Sequence, residues 1–102
     1  VRIALLPAAS AELEDAILFY ENEQSGLGYR MWLEVDEHME WIARNPLVPR
    51  LRDGGYRRVN LKIFPYYIAY IVRSDGIVAV AIANARRKPE YWIERIKTEP
   101  LP

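Results

Sequence analysis

The chain has 102 residues, of which 51% are hydrophobic and 27% charged, with 14 basic and 14 acidic side chains and no cysteine. That length supports one domain, residues 1–102, around one hydrophobic core. The lack of cysteine excludes disulfides, thiolate metal sites and thiol nucleophiles and fits a reducing cytoplasm. The apolar run Ile3 to Leu6 is too short for a signal peptide, and no stretch approaches the ~20 apolar residues of a membrane span.

Val1 to Leu6 reads as a short strand stopped by Pro7, which suits the first turn of a helix. Ser10 is placed to cap or open that helix, with Glu12, Glu14 and Asp15 set against its N-terminal dipole. Ala9, Leu13, Ala16, Ile17 and Tyr20 recur at helical spacing as one apolar stripe. Glu21 to Gly28 is a connector, its glycines suited to a C-cap and a reversal. A second helix is expected from Tyr29 to Arg44, with Trp32, Val35, Met39 and Ile42 as its core seam. Glu34, Asp36, Glu37 and Glu40 form its solvent side, and Asn45-Pro46 ends it.

A loop with Pro46, Pro49, Asp53, Gly54 and Gly55 leads to three strands. Val59, Leu61 and Ile63 alternate with Arg58, Asn60 and Lys62, which gives one apolar face and one polar, cationic face. Tyr66 to Val72 is apolar on both faces and belongs mid-sheet. Ser74-Asp75-Gly76 is a hairpin turn. Ile77 to Ala83 returns, with Ala79, Ala81 and Ala83 as a small face that invites close packing. Arg86, Arg87 and Lys88 close the strand, Pro89 ends the pairing, and Tyr91, Trp92, Ile93 and Ile96 line one side of a short helix. The expected fold is α+β, in the order β-α-α-β-β-β. A helix hairpin covers one face of a mainly antiparallel four-stranded sheet, and a short helix closes the chain.

Charge is split along the chain. Residues 1–43 hold two cations and nine acids, a balance of −7; residues 44–102 hold twelve cations and five acids, a balance of +7. A basic sheet opposite an acidic helical layer is the footprint of an anionic partner. Catalytic candidates are few. His38 is the sole histidine, and its four-residue spacing from Glu34 is that of a helix surface pair. No metal site and no cofactor are expected, and no phosphate-loop, dinucleotide or Ser-nucleophile motif is present. What stands out is basic: Arg57, Arg58 and Lys62 on one strand, then Arg86, Arg87 and Lys88, followed by Tyr91 and Trp92. Such a set binds phosphate and stacks on bases, although core packing is the favoured role for the two aromatics.

The residues also carry a resemblance that spans nearly the whole chain. It rests on the acidic first helix from Ala8 to Tyr20, AASAELEDAILFY, the Gly26-x-Gly28 reversal, Asn45-Pro46, and Phe64-Pro65-Tyr66 before the central strand. About twenty residues later comes Arg86-Arg87-x-Pro89-x-Tyr91-Trp92. Together these resemble the ParE/RelE superfamily of toxins from type II toxin–antitoxin, or plasmid stabilisation, modules, and lean to its ParE-like branch.

The resemblance implies a cytoplasmic bacterial toxin that binds DNA gyrase as an inhibitor and is neutralised by a cognate antitoxin. A homodimer or a toxin–antitoxin heterotetramer fits the same modules. It carries two alternatives. One is a RelE-like, ribosome-dependent mRNA endonuclease in which Arg58, Lys62, Arg86 and Arg87 grip phosphate and Tyr91 transfers a proton; the other is a non-toxic RNA-binding or interaction module. Partner contacts are expected from Arg57, Arg58, Lys62, Arg86, Arg87, Lys88 and Trp92. An antitoxin tail is expected to fold over the basic sheet side, with carboxylates near Arg58, Lys62 and Arg86.

Overall fold

A computed structural model describes residues 3–98. The elements are β1 (Ile3–Leu5), α1 (Pro7–Glu23), α2 (Leu27–Arg44), β2 (Arg57–Asn60), β3 (Tyr66–Arg73), β4 (Gly76–Asn84) and α3 (Arg95–Thr98). Val1, Arg2 and the closing Pro100 and Pro102 lie outside the described residues. The sheet runs β1-β4-β3-β2, with β1 parallel to β4 and the other pairs antiparallel, so the expected α+β order stands. β3 and β4 take the centre, where apolar residues on both faces are buried. No helix among the described residues is long and apolar enough to cross a membrane.

Leu6 precedes α1 as its N-cap and Pro7 stands at its start, so Ser10 lies inside the helix and caps nothing. α1 runs on to Glu23, through what reads as connector. Glu21 is the reason: its carboxylate accepts the N–H groups of Gly26 at 3.0 Å and Gly28 at 3.0 Å, which ties the end of one helix to the start of the next. Gly26 turns the chain at φ +91°, and a Cβ on Gly28 would lie 2.6 Å from the carbonyl oxygen of Ile17. Both glycines are therefore needed, one for conformation and one for close helix approach.

α1 packs on β4 and on α2. Ala9 and Ala16 are buried, and Leu13, Ile17 and Tyr20 pack beside them, as the stripe requires. On α2 the buried residues are Gly28, Met31, Glu34, Val35 and Ile42. Trp32, expected in that seam, is 42% exposed and stacks on Tyr29 at 6.1 Å between ring centroids. The inward face is set by Met31 and Val35, and Trp32 sits one step around the helix from it.

Two local events alter the strands. β2 stops at Asn60, short of the expected Ile63, because residues 62–64 turn to bond the Glu34 carboxylate; Leu61 remains buried while Ile63 is 62% exposed. In β4 the pairing with β3 skips a residue: Ala69 faces Ala81, and Tyr70 faces Ala79. That bulge puts Ala79 on the sheet face opposite to Ala81 and Ala83, so the three alanines do not form one face. The segment after Pro89 folds back over the sheet. Trp92 is 1% exposed, its indole N–H donating to Tyr67 Oη at 2.8 Å and its ring set edge-on to Tyr56. The final helix itself is only Arg95–Thr98, because residues 89–94 are turns.

Candidate partner-binding site

α2 turns one stripe toward the free edge of β2. Arg30, Leu33, Glu34, Glu37, His38 and Trp41 from the helix, with Arg58, Val59, Asn60, Lys62 and Ile63 opposite, line a groove of about 710 Å³. The helical residues follow the three-and-four spacing of a single face. β2 is an outer strand. The Leu61 N–H reaches Tyr66 O at 2.9 Å, and antiparallel alternation then points the backbone groups of Arg58 and Asn60 outward. Among the described residues no strand pairs with that edge, so the site offers both an open strand edge and apolar side chains beside it.

Glu34 holds the groove's floor. It is 7% exposed, not on the helix's wet side, and accepts N–H groups from Lys62 at 2.7 Å, Ile63 at 3.1 Å and Phe64 at 3.2 Å. A buried carboxylate is tolerable on these terms, because three backbone donors replace its water. His38 Nδ1 lies 2.8 Å from the carbonyl oxygen of Glu34, not its carboxylate. A carbonyl only accepts, so Nδ1 carries the proton and Nε2 is left for another partner. Glu37, also expected toward solvent, lines this groove.

The basic residues divide into two groups. The turn at 62–65 and the turn after β4 are joined by the Ala85 N–H to Pro65 O bond of 2.8 Å, which brings Lys62 and the exposed Arg86, Arg87 and Lys88 to one end of the sheet. Arg87 lies over the Tyr91 ring at 3.9 Å. Arg58 has its guanidinium carbon over the Tyr67 ring at 3.8 Å and donates to Asn60 Oδ1 at 2.8 Å, so it is preoriented beside the groove. Arg57 is engaged elsewhere, donating to Pro49 O at 2.6 Å. Trp92, expected at a partner contact, is inside the core and presents no surface.

Tyr91 is likewise committed. Its hydroxyl donates to Glu12, whose carboxylate also takes the Ile82 N–H at 3.1 Å and a two-pronged pair with Arg95 at 2.9 and 3.0 Å. Burial raises the Tyr91 pKa well above the ordinary phenol value, and the bond to Glu12 raises it further against the opposing pull of Arg87 and Arg95. Glu12, expected to face the helix dipole, instead seals the part of the β4 edge that short β1 leaves uncovered. Nothing in the local sequence marks Glu12 or Glu34, since their partners lie far along the chain.

The family described as "ParE toxin of type II toxin-antitoxin system, parDE" matches residues 3–89. No curated protein matches the chain. Among solved structures, the chromosomal ParDE TA system from P. aeruginosa is similar in fold, with a TM-score of 0.73 at 16% identity, over 84% of this chain and 97% of that one. With the match extending from the first strand to Pro89, the chain belongs to the ParE toxin family of type II toxin–antitoxin systems.

Proposed function

We propose that this protein is the toxin of a type II toxin–antitoxin pair, that it acts by binding DNA gyrase, and that its cognate antitoxin neutralises it by occupying the groove between α2 and β2. Family membership supports the toxin role. The groove carries the antitoxin reading: an open strand edge, the apolar Leu33, Trp41, Val59 and Ile63, and the cations Arg30, Arg58 and Lys62 meet in one place. A segment that is disordered when free gains backbone bonds, apolar anchors and ion pairs there together. Inhibition by binding fits better than RNA cleavage, because the Tyr91 hydroxyl is held by Glu12 and its pKa is raised, which removes it as a ready proton donor or base.

Induced alone in bacteria, the chain is expected to stop growth, and co-expression of the antitoxin encoded beside it should restore growth. Purified protein should slow gyrase supercoiling and leave ribosome-bound mRNA intact. Normal growth despite verified expression in the soluble fraction would remove the toxin reading. Position-specific mRNA cuts that vanish in Arg86→Ala would replace gyrase inhibition with nuclease action.

A further inference from the structure

The twelve-residue connection 45–56 between α2 and β2 has no regular secondary structure, yet it is fastened at several points. Tyr70 Oη donates to Pro46 O at 2.8 Å, and Arg57 Nη1 donates to Pro49 O at 2.6 Å and Leu47 O at 3.3 Å. The Arg52 N–H closes on Tyr56 O at 2.8 Å. Asn45 Nδ2 donates to Trp41 O at 3.0 Å and so extends the end of α2 into the loop. These bonds leave the loop's apolar side chains facing water: Leu47, Val48 and Leu51 are 65, 68 and 60% exposed. An anchored loop that presents three aliphatic side chains to solvent gains nothing for its own fold, and preorganisation of this kind lowers the ordering cost of binding.

We infer that this loop is the surface that engages the toxin's target, that it is separate from the antitoxin groove, and that its partner is a protein surface with an apolar pocket and an acidic rim. The inference rests on the toxin reading above. The loop and its flank carry Arg44, Arg50 and Arg52 against a single acid, Asp53, and among the described residues none of the three arginines takes part in an ion pair. All three are arginine, the cation enriched at protein interfaces, where lysine is depleted. A single-stranded nucleic acid would call for exposed aromatic platforms, and the loop's one aromatic, Tyr56, is 2% exposed. No residue of the loop lines the groove, so the two surfaces are separable by mutation.

The test compares growth arrest by the unaltered chain with that by Leu47→Ser/Val48→Ser, Leu51→Asp and Arg50→Glu, with Leu18→Ser on α1 as an exposed control. All these side chains are on the surface, so thermal melting should be unchanged. Each loop variant should need roughly tenfold or more inducer for arrest, while binding of the cognate antitoxin changes less than about twofold. Leu18→Ser should arrest growth like the unaltered chain. Arrest by the loop variants at unaltered dose would overturn this inference and leave the toxin reading standing; failure of the unaltered chain itself to arrest growth would remove both. Loss of duplex-DNA or RNA retention in the loop variants, in parallel with loss of arrest, would show the partner class to be wrong.

Discussion

Glu34 illustrates how one side chain sets the local fold and the site at once. Three N–H groups of the 62–64 turn have no strand partner and converge on its carboxylate. Removing it in Glu34→Ala orphans those donors in a buried place, at a cost of about 2–4 kcal/mol, and Glu34→Gln should cost less because one oxygen remains to accept. Urea unfolding checks the order; equal stability of all three proteins would show that water replaces the carboxylate freely. Tyr91 gives a pH counterpart. Its folded pKa lies above its unfolded value, so the neutral phenol is favoured in the native state. That contribution is complete below about pH 10 and is lost as pH rises through the folded pKa. Tyr56, Tyr66 and Tyr70 are raised in the same direction, chiefly by burial. Alkaline titration of stability should therefore fall from about pH 10 upward, and Tyr91→Phe should flatten the slope without abolishing it. A slope unchanged in Tyr91→Phe would assign the effect to the other three.

At the scale of elements, the groove exists because α2 packs chiefly on α1 and meets the β2 side through a carboxylate, leaving the strand edge open among the described residues. If an antitoxin segment adds to that edge as a strand, the outward N–H of Asn60 is one of its donors. Asn60→Pro removes that donor on the free side, where an outer strand tolerates proline, and should weaken antitoxin binding with the fold retained. Trp41→Ala should weaken it too, each by roughly tenfold, measured by calorimetry. Full binding by Asn60→Pro beside weak binding by Trp41→Ala would indicate a docked helix in place of an added strand. The same elements mark what was legible in the sequence. Periodicity gave both helices, and composition placed β3 mid-sheet, because those signals are local. The early end of β2, the bulge at Val80 and the inward turns of Glu12 and Glu34 were not legible. Each depends on a partner brought near only by the fold: Glu34 bonds residues 28–30 positions later, and Glu12 reaches 70–83 positions away. Of the candidate site, Arg58 and Lys62 were visible, whereas Arg30, His38 and Trp41 of α2 meet them only across the α2–β2 gap.

At the scale of the molecule, α1 and α2 carry nine acids against Arg30 and Arg44, whereas residues 57–88 carry seven cations against Asp75. Lys62, Arg86, Arg87 and Lys88 gather where two turns meet, close to one end of the groove. An acidic antitoxin should be drawn to that end first, which raises the association rate more than the final affinity. Arg58 is a poor probe of this effect, since its guanidinium also packs on Tyr67. Glu37 is a poor control, since it lines the groove. Arg86→Glu with Lys88→Glu changes charge at exposed positions that do not line the groove, and Glu14→Lys on the outside of α1 serves as the comparison. Stopped-flow association should slow several-fold in the double variant at low salt and lose most of its salt dependence. The Debye length of about 8–10 Å at physiological ionic strength already screens exposed charges from one another. Dissociation should change little, because these side chains act before the apolar contacts form. If Glu14→Lys altered association as strongly as the double variant, steering would come from net charge alone, and the basic end of the sheet would have no special place in antitoxin capture.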